Sequence, residues 1–258
     1  MRMKMEEKKP LTLEEKQEII LDQLKDVDRF CRENHIKYSI AYGTLLGAIR
    51  HGGFIPWDDD ADICMLREDY DRFAASYKSE KYHMLQFCHN HEDKEVFFNG
   101  YLKINDPTTY IANHQNVIKY GVALDIFPLD SVPEEKEERH KYNHTIRQLN
   151  NRLYHRHKKD PLSIVKSYTH STDYWWRRLD DALHQKKYED SPLVTQFFCA
   201  DEDEVLLRKD LFDELIDISF CGYKFLGFKE YHKYLVESYG ENYMTPKQWA
   251  QNFTIYRK

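Results

Sequence analysis

Residues Tyr42–Cys64 read YGTLLGAIRHGGFIPWDDDADIC, and this stretch decides the fold expected for the chain. Just after its Gly43-Thr44 step, four carboxylates crowd into five residues: Asp58, Asp59, Asp60 and Asp62. Like charges at this density repel one another, so bringing them together in a folded site is unfavourable unless a cation holds them. Oxygen ligands of this kind suit Mg²⁺ or Mn²⁺, which also bind substrate phosphates. The stretch therefore predicts a metal-assisted phosphoryl-transfer site.

Strand and helix signals surround the carboxylates. Ile36–Tyr42 predicts a strand that runs into a turn, and Leu45–Arg50 predicts a short helix that ends at a Gly-Gly pair. A second strand is predicted at Asp60–Leu66. Because alternate residues of a strand face the same side, Asp60 and Asp62 are expected to project together.

A third acid lies far along the chain. The segment Gly121–Pro128 reads GVALDIFP, which is typical of a buried strand with a lone acid, Asp125. An unpaired charge there would cost several kcal/mol, so Asp125 is expected to be paired or metal-bound. If this strand lies beside the first acidic strand, Asp125 completes a three-carboxylate site with Asp60 and Asp62. It could also accept the proton of an attacking hydroxyl.

Phosphate-binding groups are predicted around these acids. The Gly43-Thr44 step precedes a helix, where backbone N–H groups favour phosphate oxygens. Arg50 and Lys103 could neutralise a diphosphate. The alternatives are that Arg50 pairs with a nearby aspartate and that Lys103 is a solvated strand lysine. Trp57 is interpreted as a loop anchor rather than a cation–π site, and Asp130 as a turn residue.

The remaining pattern indicates an α+β chain with a mixed sheet. A capping box at Thr12–Glu15 opens an amphipathic helix. Further strands are predicted at 83–88, 96–104 and 108–111, and helices at 68–77, 134–157, 172–188, 203–218 and 228–239. We expect a flexible tail at 1–10, a catalytic core at 11–132 and a mostly helical extension at 133–258 that packs on the core as one compact unit.

Composition narrows the functional classes. The net charge of the 258 residues is −6, which argues against nucleic-acid binding by bulk electrostatics. No apolar run approaches about 18 residues, and the charged start MRMKMEEKKP does not fit a secretory signal. Five widely spaced cysteines without a CxxC pair favour a reducing compartment and argue against a zinc knuckle. We therefore expect a cytoplasmic location, either free or at the inner face of the membrane.

Three segments together resemble the LicD/fukutin family of the nucleotidyltransferase-fold superfamily. They are GTLLGAIRHGGFIPWDDDADI from Gly43, DIFPLD at Asp125–Asp130 and YGENYMTP at 239–246. The resemblance implies a nucleotidyltransferase-like sheet and transfer of a substituted phosphate, most typically phosphocholine from CDP-choline, to a glycan hydroxyl. It does not extend to the final QNFTIYRK, where many bacterial members carry paired histidines.

Carried over by position, the resemblance implies metal binding by Asp60, Asp62 and Asp125 and phosphate contact by Gly43 and Thr44. Asp58 and Asp59 match the run before the metal acids and are less expected to touch metal. The implied cofactor is Mg²⁺ or Mn²⁺. The implied partners are a CDP-linked donor and a glycan or teichoic-acid precursor, with or without a lipid carrier. The sequence does not determine the oligomeric state.

Other functions remain open at this stage. The site could belong to a nucleotidyltransferase that releases pyrophosphate, or to a transferase for ribitol, glycerol or sugar phosphate. A non-catalytic nucleotide-binding scaffold would use the same fold. The basic stretch 147–159 could meet an anionic membrane or polymer, or nucleic acid, or could be a solvated helix face balanced by the acidic run 134–138.

Overall fold

The structure is a computed structural model that describes residues 9–85, 100–111, 120–157, 170–185, 188–197, 206–246 and 254–258. Within these ranges, helices surround a mixed sheet, which confirms the α+β class. The helices are α1 (Leu13–Glu33), α2 (Tyr42–His51), α3 (Arg67–Ser76), α4 (Lys136–His157), α5 (Thr172–Leu183) and α6 (Tyr231–Tyr239). The described part of the chain contains no helix that is both long enough and apolar enough to cross a bilayer.

The strands are short, and most belong to the main sheet. They are β1 (Ser39–Ile40), β2 (Asp62–Leu66), β3 (His83–Leu85), β4 (Leu102–Asn105), β5 (Thr109–Ile111), β6 (Ala123–Ser131), β7 (Leu193–Thr195), β8 (Leu206–Arg208), β9 (Leu215–Phe220), β10 (Tyr223–Phe228) and β11 (Ile255–Arg257). The main sheet has the order β1-β2-β6-β4-β3, and β7 and β8 continue it from the far end of β6. Residues 86–99, which include parts of two predicted strands, lie outside the described ranges.

The centre of the sheet is the pair β2 and β6, which run parallel. Their apolar residues are buried because α1 and α3 cover the sheet; Ile63, Met65 and Ile126 are completely shielded from solvent. α1 begins at the predicted capping box, in which the Thr12 side chain accepts a hydrogen bond from the backbone N–H of Glu15. This core holds β2 and β6 side by side and so fixes the relative position of their acids.

Helix α2 begins at Tyr42, earlier than the predicted Leu45 and within the strand predicted at Ile36–Tyr42, and its end lies beside the predicted glycine pair. It ends at Gly52, which adopts the left-handed conformation (φ 71°) that favours glycine. Gly47, in the middle of α2, packs directly against the returning chain. A Cβ atom there would lie 2.4 Å from the carbonyl oxygen of Gly53 and 3.1 Å from the backbone N of Ile55. The small residue lets the loop before the carboxylates pass close to the helix.

Replacing Gly47 with Ala is therefore expected to lower the free energy of unfolding by about 1–3 kcal/mol, because backbone atoms must move. In an exposed helix interior the same change usually stabilises by about 1 kcal/mol. Urea unfolding measures the effect. Ala75→Gly, at an exposed position of α3, serves as the control for intrinsic helix propensity. A stabilised Gly47→Ala variant would contradict the close approach.

The second half of the chain contains more strand than the sequence predicts. The helices predicted at 134–157, 172–188 and 228–239 are confirmed as α4, α5 and α6 with shifted ends, but the helix predicted at 203–218 is wrong. β8, a short 3-10 turn and the start of β9 occupy its described part. β9 and β10 form a hairpin through Cys221 (φ 50°) and Gly222 (φ 81°), which suits a two-residue turn. Pairing with β10 overrides the helical propensity of the segment.

A second apolar cluster joins α4 to α5. Ile146, Leu153 and Leu179 are completely buried in it. Of the basic stretch 147–159, the described part includes Arg152, whose guanidinium lies 4.5 Å from the ring centre of Trp175. The side chains at 154–157 and residues 158 and 159 lie outside what the structure describes. The membrane or polymer contact of this stretch stays a prediction.

A histidine connects this helical pair to the sheet side of the molecule. His184, at the end of α5, lies 2.8 Å from Asp71 of α3 through its Nε2 atom and 2.9 Å from the Asp180 carbonyl through its Nδ1 atom. The hydrogen bond with Asp71 raises the pKa of His184 to about 9. The neighbouring Arg67 opposes this shift. The histidine is therefore charged over most of the neutral range.

Because the folded-state pKa of His184 exceeds its ordinary value of 6.5, its contribution to stability is fully present below pH 6.5 and is lost as pH rises through about 9. His184→Gln is expected to unfold more readily than the parent at pH 6 and equally readily near pH 10. Urea midpoints across this range measure the difference. His83→Gln, at an exposed position of β3, is the control and should show no such dependence.

Candidate active site

Two of the predicted acids face each other across the parallel strands. Asp62 of β2 is the register partner of Asp125 of β6, and the backbone N–H of Asp125 donates to the Ala61 carbonyl at 3.0 Å. Register partners point to the same face of a sheet, so both carboxylates share one surface. The predicted adjacency of the two acidic strands is confirmed.

Lys103 joins these acids from the other side of β6. It is the register partner of Asp125 on β4, and its Nζ contacts Asp125 Oδ1. The side chains of Lys103 and Asp125 are only 8% and 14% exposed. The structure thus places Lys103 on the acidic face rather than in solvent, where it offsets part of the negative charge.

The acids repel one another strongly. Burial raises the pKa of Asp62 well above its ordinary value, and the charges of Asp60, Asp125 and Asp58 add to this shift while Lys103 opposes it. Burial also raises the pKa of Asp125, against the effect of Lys103. The carboxylates therefore occupy an environment that favours added positive charge.

Asp58 is part of the same electrostatic cluster. Burial raises the pKa of Asp58 to about 8, and Asp60 and Asp59 add to the shift. Its Oδ2 atom would lie 2.9 Å from a Cβ placed on Gly43, so only glycine lets the carboxylate come this close to α2. The absence of a side chain at Gly43 shapes the acidic surface.

Asp60 does not lie on the strand predicted for it. β2 begins at Asp62, and Asp60 is an exposed residue of the preceding loop. The reason is that β1 ends at Ile40 and turns into α2, so the antiparallel pairing that supports β2 stops at Asp62. Asp60 nevertheless stays close enough to influence the pKa of Asp58, Asp62 and Asp125.

The start of α2 is fastened to the acidic strand. The Thr44 hydroxyl accepts a hydrogen bond from the backbone N–H of Asp62 at 2.8 Å. Tyr42 adopts a left-handed backbone (φ 44°), which is unusual for a residue other than glycine, and its N–H donates to the Tyr234 hydroxyl at 3.0 Å. First-turn amides of a helix have no intrahelical acceptor. The turn thus brings the first-turn amides of α2 next to Asp62.

Helix α1 anchors the acidic loop from behind. Lys16 pairs with Asp59 at 2.7 Å, with both side chains less than 10% exposed, and the Gln17 side chain donates to the Asp58 carbonyl at 2.8 Å. Asp59 therefore forms an ion pair that anchors the loop to α1. Sequence patterns carry no signal for these contacts, because the partners lie more than 40 positions apart.

A cavity of about 470 Å³ opens beside the acids. One wall is the face of α2 that carries Gly43, Leu46 and Arg50, and the floor includes Asp58 and Trp57. The opposite wall, which we call the late segment, spans residues 238–245. It contributes Ser238, Tyr239, Asn242, Tyr243 and Thr245. The sequence identifies the late segment only as a motif, and the structure places it at the site.

Arg50 and Trp57 both line this cavity. A guanidinium N–H of Arg50 donates to the Tyr243 carbonyl at 3.0 Å, which attaches α2 to the late segment. The predicted pairing of Arg50 with an aspartate is not among its described contacts. Trp57 packs partly against the core, as predicted, and also faces the cavity. The phosphate contact of Arg50 stays a prediction.

Whether a divalent ion fits here depends on the donor set. Among the described residues, no three His, Cys, Asp or Glu side chains are already arranged to hold an ion. However, the carboxylates of Asp62 and Asp125 share a face, and burial, with a smaller contribution from neighbouring acids, raises the pKa of both. All-oxygen donors suit Mg²⁺ and Mn²⁺. The chemistry of these donors therefore suits such an ion.

Comparisons with known proteins identify similar sequences. The family description "LicD/FKTN/FKRP, nucleotidyltransferase domain" matches residues 35–171, more than half of the chain. The lipopolysaccharide cholinephosphotransferase LicD of Haemophilus influenzae is 41% identical over 128 residues, which cover 49% of this chain and 48% of that protein.

Shorter matches link the chain to two uncharacterized rickettsial proteins. The protein of Rickettsia typhi is 50% identical over 62 residues, covering 24% of this chain and 20% of the relative. The protein of Rickettsia prowazekii is 54% identical over 46 residues, which cover 18% of this chain and 17% of that relative. The chain thus spans about half the length of the Haemophilus protein and a smaller share of the other two.

Proposed function

The chain belongs to the LicD/FKTN/FKRP nucleotidyltransferase-domain family, and from this membership we propose that it transfers a substituted phosphate from a CDP-linked donor to a glycan hydroxyl. Phosphocholine is the proposed group, because the similar Haemophilus influenzae protein is a lipopolysaccharide cholinephosphotransferase. The proposed acceptor is a cell-surface glycan or teichoic-acid precursor, free or lipid-linked, reached in the cytoplasm or at the inner membrane face.

The observation that carries this proposal is the register of Asp62 with Asp125 beside the start of α2. It unites two carboxylates with a helix N-terminus that favours phosphate oxygens. Phosphoryl transfer needs little covalent chemistry from the protein and depends on positioning and charge stabilisation. The arrangement suits that requirement better than it suits acid–base chemistry on a neutral substrate.

Metal dependence is part of the proposal. Asp62 and Asp125 would hold Mg²⁺ or Mn²⁺, with Asp60 supplying a third carboxylate. When bound, the ion would neutralise charge on the diphosphate and on the phosphoryl group in transfer. This role also explains why the chain keeps several mutually repelling acids in one partly buried place.

Other groups of this chain would orient the phosphate oxygens, supply positive charge and accept the proton of the acceptor hydroxyl. Backbone amides of Gly43 and Thr44 orient phosphate oxygens, and Lys103 adds positive charge beside Asp125. The acceptor hydroxyl attacks the phosphorus that carries the choline oxygen, and Asp125 takes its proton. The new bond joins the glycan oxygen to this phosphorus, while the bond to the bridging oxygen breaks and CMP leaves with that oxygen.

Product analysis tests the proposal. The protein is incubated with Mg²⁺, a panel of methyl glycosides and one of CDP-choline, CDP-ribitol or CDP-glycerol, and phosphorus NMR follows the products. We expect CMP and a glycan phosphodiester, with CDP-choline as the best donor, and no reaction in excess EDTA. CMP release without metal would contradict the metal-dependent mechanism.

Spectra of these incubations and of a parallel incubation with CTP, together with melting temperatures, separate the alternatives. A nucleotidyltransferase would release pyrophosphate from CTP and a phosphorylated acceptor, and it would leave CDP-choline intact. A non-catalytic scaffold would raise its melting temperature with nucleotide but form no product with any donor. Preference for CDP-ribitol or CDP-glycerol would keep the reaction type and change the head group.

A further inference from the structure

We infer that the cavity between α2 and the late segment binds the nucleoside of the donor, so that its base and ribose are recognised there and the transferred head group lies outside it. This inference rests on the proposed function, because it presumes a nucleotide-linked donor. It goes further by assigning the two ends of the donor to different places. It also names Arg50 and Trp57 as recognition residues.

The position of the cavity sets the direction of the donor. Gly43, Leu46 and Arg50 are spaced three and then four residues apart, so they share one face of α2. At 1.5 Å per residue, this face runs for roughly 10 Å from the acids to the last helical turn. A diphosphate held at the start of α2 would therefore place an attached group along the cavity toward Arg50.

The size of the cavity favours the nucleoside end of the donor. Its volume of about 470 Å³ lies within the range of roughly 300–1,000 Å³ that holds drug-sized molecules. A base with its ribose is a ligand of this kind. Choline is much smaller and would leave most of the cavity, together with the polar wall at Arg50, without contact.

The chemistry of the walls also fits a base and a sugar. Trp57, Tyr239 and Tyr243 supply aromatic surface on which a base can stack, at a typical gain of about 1–3 kcal/mol in other proteins. The Arg50 guanidinium and the Asn242 amide can donate to base carbonyl or ribose oxygens. Like charge repels, so the Arg50 cation disfavours the quaternary ammonium of choline in this cavity.

The recognition groups are held in place before any ligand binds. Arg50 donates to the Tyr243 carbonyl at 3.0 Å, and the Tyr243 hydroxyl lies 2.9 Å from His232 Nδ1 of α6. Tyr243 itself is only 8% exposed. These contacts limit the freedom that Arg50 and Tyr243 would lose on binding. Arg50 would accordingly contact the nucleoside instead of the diphosphate predicted from the sequence.

Binding of cytidine, CMP and choline tests the inference without requiring turnover. Isothermal titration is used with the full chain and its Arg50→Met, Trp57→Leu and Trp57→Phe variants. Cytidine and CMP are expected to bind the parent. Affinity should fall about 10-fold in Arg50→Met and in Trp57→Leu, and Trp57→Phe should restore most of the loss because it keeps a stacking ring. Arg29→Met, at an exposed site on α1, is the control.

Two results would overturn the inference: parent protein that binds neither cytidine nor CMP, or variants that lose choline binding while cytidine affinity is unchanged. Failure of the proposed function has a different outcome. If no CDP-linked donor is turned over but cytidine binding still depends on Arg50 and Trp57, the nucleoside assignment stands and the transferase proposal does not. Thermal unfolding confirms that each variant is folded.

Discussion

Asp62→Asn is expected to reduce CMP release from CDP-choline by about 1,000-fold in excess Mg²⁺. The substitution keeps the size of the side chain and removes its charge, so it deletes one carboxylate of the proposed metal site on the face shared with Asp125. Interactions of a divalent ion with the transition state are worth several kcal/mol, and each 1.36 kcal/mol corresponds to a tenfold change in rate. Initial rates at saturating donor measure the effect.

Measurements of stability distinguish this loss of activity from a folding defect. Asp62 is crowded by other acids, which contribute to its raised pKa, so loss of its charge should leave the melting temperature of the metal-free protein unchanged or higher. Asp213→Asn makes the same chemical change at an exposed position and should retain parental activity. Full donor turnover by Asp62→Asn would show that the pair of Asp62 and Asp125 is not needed for the reaction.

Asp130→Ala is expected to lower the free energy of unfolding by about 3–5 kcal/mol, or the melting temperature by roughly 10 °C. Asp130 is not the turn residue that the sequence suggests. It lies in β6, is fully buried and accepts two hydrogen bonds from Arg67, at 2.6 and 2.8 Å. Removing the carboxylate leaves the guanidinium, whose side chain is only 17% exposed, without its main partner.

The control for Asp130→Ala is Asp217→Ala, which removes an ion pair with Arg32 whose side chains are 40% and 45% exposed. Exposed pairs of this kind contribute about 0–1 kcal/mol. The double change Arg67→Met with Asp130→Leu should recover much of the loss, because neither charge is then left buried alone. Urea unfolding of the four proteins measures these differences. If Asp130→Ala and Asp217→Ala lost the same free energy of unfolding, the importance of the buried ion pair between Asp130 and Arg67 would be contradicted.

The parts of the fold that depend on local signals could be predicted from the sequence. The Thr12 capping box marks the start of α1, Gly52 marks the end of α2, and the apolar run around Asp125 identifies β6. Each signal acts within a few residues, so its effect on the local structure does not depend on contacts with distant segments. The sequence raises the adjacency of Asp62 and Asp125 only as a condition for a three-carboxylate site, and the register of β2 with β6 confirms it.

Other features depend on contacts between distant segments. Asp60 leaves the predicted strand because β1 turns into α2, and 203–218 is no helix because β10 pairs with β9. Lys16 beside Asp59 and the late segment beside α2 join residues more than 40 and more than 190 positions apart. Periodicity and composition contain no information about such pairings. The sequence therefore predicts the strands and helices that carry the candidate residues better than it predicts the contacts around them.

The chain segments that border the carboxylates extend beyond the residues that the family description matches. Lys16 and Gln17 precede residue 35, and the late segment follows residue 171, where the family match ends. An excised fragment limited to residues 35–171 would lack both supports and should neither fold nor recognise nucleotide. The proposed nucleoside cavity therefore has one wall inside the matched region and the other outside it, so the family match alone does not predict which nucleotide is recognised.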